Sequence, residues 1–266
     1  MAELILFLVA TIPVILLGKY VYNKDRNKEP SRLLLKLFLG GIMSCFLVMI
    51  IGGIISVIVP IFSEDPSKLN MFELILFAFL RIALIEETCK WIMVYFISYN
   101  SKDFDEVYDI IVYSVFVAIG FAFYENLFYV YDSGVIGGVI VGALRALLAV
   151  PGHACDGVFM GYYLGLAKLS TINNRKDLSN KYFILSIIVP ILLHGFYDLC
   201  LFTGNWIFLI VFGIFIIILY VMAIKRIKKL ARINKKMKYE DNYCPTCGHP
   251  VNSDFCPICG RKNNWW

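Results

Sequence analysis

Long apolar stretches alternate with short polar segments along most of the chain. A stretch of about 18 or more apolar residues is long enough to cross the hydrocarbon core of a bilayer as a helix. The pattern predicts membrane-spanning helices over residues 3–22, 33–62, 71–98, 108–131, 151–169, 182–202 and 206–224. We therefore expect an all-α polytopic membrane bundle of about seven to eight transmembrane helices.

Basic residues indicate how this bundle is oriented. They cluster in 24–32, in 168–181 and after Lys225, and such clusters are typical of cytoplasmic loops. The net charge of +5 therefore favours topology and lipid headgroup contact over nucleic-acid binding. We expect an integral protein of a bacterial or archaeal cell membrane, with its N-terminus outside and its C-terminus in the cytoplasm.

The stretch 135–149 decides the number of spans, because it is apolar but short and carries Arg145. The three basic clusters lie on one side only if an odd number of crossings separates residues 132 and 170. We interpret 135–149 as an interfacial or re-entrant helix on the outer side, with Pro151 at the break before the next span. This gives seven spans; eight is the alternative.

Charged residues interrupt the apolar run of the third predicted span, namely Arg81, Glu86, Glu87 and Lys90. Charge at membrane depth is costly and marks a functional site by default. On a helix Glu86 and Lys90 share a face and can form an ion pair, whereas Glu87 points about 100° away. The alternative is a buried charge cluster that only holds helices together.

Three further spans carry polar pairs at membrane depth: Glu125 with Asn126, His153 with Asp156, and His194 with Asp198. Each aspartate follows its histidine by three or four residues and can reach it on one helical face, which would fix the tautomer of the ring. Each pair could also be a satisfied buried contact. Together with the glutamate pair, they favour a site built from facing helices of a bundle.

Glutamate and histidine polarise water for attack on a carbonyl, directly or through a metal. Asn126, or the second histidine with Asp198, could stabilise the oxyanion. The chain has no G-x-S-x-G and no H-E-x-x-H motif, so a serine site or a zincin site is not supported. We expect hydrolysis, with a catalytic zinc left open. The alternatives are a proton- or cation-coupled transporter or channel, and a non-catalytic membrane scaffold.

The polar tail contains two C-P-x-C-G motifs, with eight residues between Cys247 of the first and Cys256 of the second. Two such turns supply four thiolates for one tetrahedral zinc, which is structural because no coordination position stays open. Two disulfides are the alternative, but a cytoplasmic tail keeps its thiols reduced. We therefore divide the chain into a membrane domain (1–224), a basic linker (225–242) and a zinc ribbon (243–262). The predicted zinc ligands are Cys244, Cys247, Cys256 and Cys259.

Several motifs appear in a characteristic order: Glu86-Glu87-x-x-Lys90, Asp109 opening a span that ends GFAFYENLFY, His153 ahead of GVFMGYYLG, and LHGFYD at 193–198. This order, over roughly residues 70–200, resembles the PrsW family of intramembrane proteases, itself similar to the CAAX-protease and bacteriocin-processing superfamily. The resemblance implies a glutamic-type or metallo-type peptidase that cleaves membrane-bound proteins or peptides, of which anti-sigma factors are the best-known class.

Carried over by position, the resemblance implies one set of site residues: Glu86, Glu87, Lys90, Glu125, Asn126, His153, His194 and Asp198. Asp198 lies where relatives often have asparagine, which puts its role as an oxyanion donor in question. Asp156 is less typical of the motif, and we expect it to support the site from outside. The resemblance does not indicate which of the two adjacent glutamates is the general base.

Overall fold

The computed structural model describes residues 2–63 and 65–233. Within these residues the chain is helical and forms no strand, which confirms the predicted all-α bundle. Its α-helices are α1 (Ala2–Lys24), α2 (Ser31–Ile58), α3 (Met71–Leu76), α4 (Leu84–Val94), α5 (Asp109–Asp132), α6 (Gly134–Leu147), α7 (Ala149–Ile172), α8 (Lys176–Phe202) and α9 (Trp206–Ile233). The predicted zinc ribbon lies outside the described residues.

In the described part of the chain, six helical stretches are long and apolar enough to cross a membrane, with Gly134–Ile172 counted as one stretch. They correspond to α1, α2, α5, α6 with α7, α8 and α9. Their number and hydropathy support an integral membrane protein, as the apolar pattern predicted.

The predicted span 71–98 is helical throughout, but it is not a uniform α-helix. A capping box of Asn70 and Glu73 begins it, and π-helical turns at Phe77–Ala83 and Tyr95–Tyr99 flank α4. A π-helical turn contains an extra residue and therefore rotates the side chains that follow it, which is why such turns recur at functional sites. Here the first π-helical segment comes immediately before the turn of α4 that carries the two adjacent glutamates.

The short stretch 135–149 forms a separate helix, as expected. With 14 residues, α6 spans about 21 Å, which is less than the hydrocarbon core. The break before α7 falls at Leu148 rather than at the predicted Pro151. Pro151 instead lies in the first turn of α7, where a missing N–H leaves no helical hydrogen bond unmade.

Helix α5 is the centre of the bundle and packs against α1, α2, α6 and α7. Within its most apolar window 72% of the residues are buried, against 22–39% for the other five candidate spans. Its approach to α2 depends on Gly41 and Gly120, since a Cβ at either position would overlap a backbone carbonyl oxygen of the opposite helix. The α2–α5 contact is therefore made backbone to backbone.

We expect Gly41→Ala to lower the free energy of unfolding by about 1–3 kcal/mol, because the added methyl forces two packed backbones apart. Thermal unfolding of the purified protein in detergent measures the change. Gly53→Ala on the same helix is the matched control, since a Cβ there meets nothing within 4 Å. Equal unfolding temperatures for the two variants would contradict the close contact.

Candidate active site

The charged residues of α4 form a buried ion-pair cluster. Glu87 is 0% and Lys90 1% exposed. The Lys90 ammonium donates to Glu87 Oε1 at 2.7 Å and lies 3.5 Å from Glu86 Oε2. The predicted pair of Glu86 and Lys90 is thus present, but the shorter contact is to Glu87, which also lies one helical turn away. The ammonium also sits 4.0 Å from the ring centre of Phe121 on α5, a favourable cation–π contact.

His194 connects α8 to this cluster. Its Nδ1 lies 2.7 Å from Glu87 Oε1, and its Nε2 lies 3.4 Å from Asp198 and 3.8 Å from Glu86. The expected proximity of His194 and Asp198 is therefore found. One oxygen of Glu87 thus meets both the lysine of its own helix and the histidine of α8.

His153 on α7 lies between Lys90 and Glu125. Lys90 can only donate, so the 3.1 Å contact between its Nζ and His153 Nδ1 makes Nδ1 the acceptor. In the neutral ring the proton is then on Nε2, which lies 2.8 Å from Glu125 Oε2 and donates to it. The predicted pairing of His153 with Asp156 is wrong, because among the described residues the ring bonds α4 and α5 instead.

Glu125 is held by Arg145, whose Nη2 lies 2.7 Å from Glu125 Oε2. The same guanidinium donates through Nε to Asn126 Oδ1 at 3.0 Å and lies over the ring of Tyr129. Asn126 is fully buried, and its Nδ2 donates to the Ala10 carbonyl at 3.0 Å. The Asn126 amide is thus used between helices, where it orients Arg145, and it does not border the cavity described next.

Arg145 is the site residue that sequence reasoning missed. Its signal was a single charge in a short apolar helix, but its partners lie 19 and 20 residues away in sequence. Helical periodicity identifies neighbours three or four residues apart and is silent about contacts between helices.

A cavity of about 510 Å³ opens beside these groups. Six acidic and histidine side chains line it: Glu86, Glu125, His153, Asp156, His194 and Asp198. Glu87 and Lys90 do not line it and lie behind this wall. Of the adjacent glutamates, only Glu86 therefore borders the space that a substrate would enter.

The donor set at this wall fits a metal ion. Glu86, Glu87, His153 and His194 each offer a ligand atom, and these atoms lie within 4.8 Å of one another. The Oε2 atoms of both glutamates are buried and make no hydrogen bond. Carboxylate and imidazole groups together suit zinc and related transition metals. Metal binding through Nδ1 of His153 would compete with the ammonium of Lys90.

Comparison with known proteins agrees with this geometry. The family described as PrsW family intramembrane metalloprotease matches residues 29–224 of the chain. The chain belongs to the PrsW family. It is therefore an intramembrane protease, and nothing in its relatives or geometry supports the transporter or scaffold alternatives.

Relatives named Protease PrsW match most of the chain. The protein from Oceanobacillus iheyensis is 35% identical over 82% of this chain and 92% of its own length. The Clostridioides difficile protein is 32% identical over 88% and 95%, and the Bacillus subtilis protein is 35% identical over 84% and 94%. No solved structure matches the chain.

A double-mutant cycle tests the Arg145–Glu125 contact of this PrsW site without a substrate. We expect Arg145→Met and Glu125→Gln to be coupled by about 1–3 kcal/mol in the free energy of unfolding, because the two side chains share one ion pair. Denaturant titration in mixed micelles measures it. Arg145→Met combined with Asp177→Asn, an exposed and distant change, should be additive. Additivity in both cycles would refute the contact.

Proposed function

We propose that the chain is a metal-dependent intramembrane endopeptidase in which Glu87, His153 and His194 hold the metal and Glu86 is the general base. The observation that carries the proposal is that ionisable side chains of α4, α7 and α8 converge on one cavity inside an apolar bundle. Groups this costly to bury are retained where they perform chemistry.

The division of roles follows from burial. Glu87 is fully enclosed and bonded to both Lys90 and His194, as suits a ligand held in one orientation. Two histidines and one glutamate are a known set of three protein ligands in catalytic zinc sites, which keep a further position open. A metal held there would polarise the scissile carbonyl and lower the pKa of water.

Glu86 suits the role of general base, because its carboxylate borders the cavity whereas that of Glu87 lies behind the wall. In the reaction the water oxygen bonds to the carbonyl carbon as Glu86 takes the water proton. The carbon–nitrogen bond then breaks, and Glu86 returns the proton to the leaving amine.

The remaining polar residues position these groups. Glu125, fixed by Arg145, accepts the Nε2 proton of His153 and so sets the orientation of the ring. Asp198 is placed to do the same for Nε2 of His194. In this scheme Asn126 acts through Arg145 instead of contacting the oxyanion, which replaces the role that the sequence first suggested.

The substrate class follows from the walls of the cavity. Apolar side chains surround its polar groups: Phe77, Leu144, Leu148, Leu193, Leu201 and Phe202. Such a lining suits a hydrophobic segment of a membrane protein or peptide, with the polar groups aligned on its backbone. Regulated cleavage of an anti-sigma-like membrane protein is consistent with this chemistry. With the C-terminus cytoplasmic, the cavity faces the outer side, away from the proposed structural zinc ribbon.

Two conservative variants separate the proposed base from the proposed ligand. We expect Glu86→Gln to reduce cleavage of a membrane-peptide library in liposomes about 10²–10⁴-fold, because a general base contributes that much, and to keep its metal. Glu87→Gln should lose both cleavage and metal. Asp132→Asn, an exposed change at the same end of α5, should alter neither. Full cleavage by Glu86→Gln would exclude Glu86 as the base.

Metal content decides between the metallo and glutamic mechanisms. In full-length protein with Cys244, Cys247, Cys256 and Cys259 changed to serine, we expect one transition metal per chain by mass spectrometry, because only the membrane site would remain. Adding His194→Ala should remove it. An active protein that lacks metal would favour a glutamic peptidase in which Glu86 activates water unaided.

A further inference from the structure

A second group of buried carboxylates lies at the opposite end of α5 from the cavity. Asp109 opens α5 sixteen residues before Glu125, which is about 24 Å along a helix. Asp25 follows the last residue of α1, and Glu29 precedes α2. Carboxylate oxygens of Asp25, Glu29 and Asp109 lie within 4.8 Å of one another, and all three residues are buried, at 4%, 6% and 0% exposed. The ends of three helices therefore meet at three acids.

The protein itself orients this group, which we call the acidic triad. Asp109 Oδ2 accepts the backbone N–H groups of Asp105 at 3.1 Å and Glu106 at 2.7 Å, while its buried Oδ1 has no hydrogen bond. The hydroxyl of Tyr113 donates to Glu29 Oε2. The backbone and the tyrosine thus fix two of the triad carboxylates in place and leave Asp109 Oδ1 without a partner.

Asp25 is the observation that points to a ligand. Both of its carboxylate oxygens are buried, and neither makes a well-aligned hydrogen bond to a described residue. The groups beside them that favour the ionised form are the backbone N–H groups of Arg26 and Asn27 and the Lys28 ammonium. Among residues 2–63 and 65–233, no lysine or arginine forms an ion pair with the triad, since Lys28 donates to the carbonyls of Tyr22 and Asp25. A buried carboxylate without a partner is costly unless a proton or a cation neutralises it.

A neighbouring acid adds to the free-energy cost of burying these carboxylates. Glu106 is 2% exposed, and although Asn27 donates to its Oε1, its Oε2 is buried without a hydrogen bond. Burial raises the pKa of Asp25 to about 6, against the opposing effect of Lys28, and raises that of Glu29 to about 7. Buried carboxylate oxygens without a hydrogen bond among the described residues therefore occur on Asp25, Glu106 and Asp109, and a proton or a cation is needed to neutralise this end of the bundle.

We propose that the acidic triad binds one hard divalent cation of the calcium or magnesium class, with Glu106 beside it. The donors are all oxygens, which these cations prefer, whereas the catalytic set mixes oxygen and nitrogen. Calcium–oxygen bonds of 2.3–2.6 Å place opposite ligands about 5 Å apart, which accommodates the 4.8 Å limit on the triad oxygens. The cation would join the ends of α1, α2 and α5 and so stabilise the helix that carries Glu125.

The test uses the purified full-length protein in detergent, with Ca²⁺ as the probe and Mg²⁺ as a second arm. Equilibrium dialysis with radioactive Ca²⁺ and thermal unfolding in millimolar Ca²⁺ give two independent readings. We expect saturable binding and a Ca²⁺-dependent rise in unfolding temperature. Asp25→Asn and Asp109→Asn should each weaken binding by about tenfold or more, because affinity follows the number of charged ligands, and should abolish the rise.

Two controls locate the response. Asp177→Asn removes an exposed acid elsewhere and should keep wild-type binding. The double variant Glu86→Gln, Glu87→Gln should also keep it, which separates this site from the catalytic wall and makes the result independent of the proposed reaction. An equal response to Mg²⁺ supports the cation class and identifies magnesium as a competing occupant.

Three outcomes would overturn the proposal. One is wild-type protein that binds neither cation at millimolar concentration. A second is Ca²⁺ binding that is undiminished in both Asp25→Asn and Asp109→Asn. The third is a Ca²⁺ response that disappears only in the Glu86 and Glu87 double variant. If Asp25→Asn fails to fold, Glu29→Gln replaces it, because that change keeps an amide for the Tyr113 hydroxyl.

Discussion

The site depends on one buried interaction, the ion pair of Glu87 and Lys90. The attraction between two buried charges offsets the free energy lost on leaving water only when their remaining protons and lone pairs also form hydrogen bonds. Lys90 meets this requirement through Glu87 and His153. Glu87 meets it at Oε1, which is bonded to Lys90 and His194, whereas its Oε2 has no hydrogen bond among the described residues. Satisfying one ion pair on α4 therefore fixes a histidine on α7 and another on α8. The same bonds that make the cluster tolerable in an apolar bundle also assemble its reactive groups.

This constraint separates the site into two layers. Glu87 and Lys90 lie behind the wall and bond to each other and to the two histidines, whereas Glu86, His153 and His194 border the cavity. A carboxylate held behind the wall by a lysine and a histidine is fixed in position and does not border the space that a substrate would enter. In the proposed mechanism, proton transfer therefore falls to Glu86, whose carboxylate borders the cavity. Burial thus distinguishes two adjacent glutamates that their sequence context does not.

Sequence reasoning succeeded where the physics is local. Apolar length predicted the helices, and the cost of charge in an apolar run identified Glu86, Glu87, His153 and His194 as one group. It failed where partners come from other helices: His153 bonds Glu125 instead of Asp156, and Arg145 had no predicted role. The rotation of each helix sets such pairings. At α4, the preceding π-helical segment rotates the two glutamates without a clear signal in composition. Helix α9 also continues to Ile233, beyond the predicted span, because its lysines and arginines are good helix formers.

Buried carboxylates lie at both ends of α5, and the two ends differ in how the negative charge is neutralised. Near Glu125, each buried carboxylate of the ion-pair network has a lysine, arginine or histidine partner. Side chains of the protein itself therefore balance the negative charge there. Near Asp109, the described residues place three carboxylates together with backbone amides, a tyrosine hydroxyl and the ammonium of Lys28, which forms no ion pair with them. Protons can neutralise such a cluster, and burial moves the pKa of Asp25 and Glu29 toward neutrality for that reason. At higher pH the carboxylates ionise, and a divalent cation becomes the remaining way to balance them. The packing of α5 against α1 and α2 would then depend on the ionic conditions at that end, although the proposed chemistry takes place at the other.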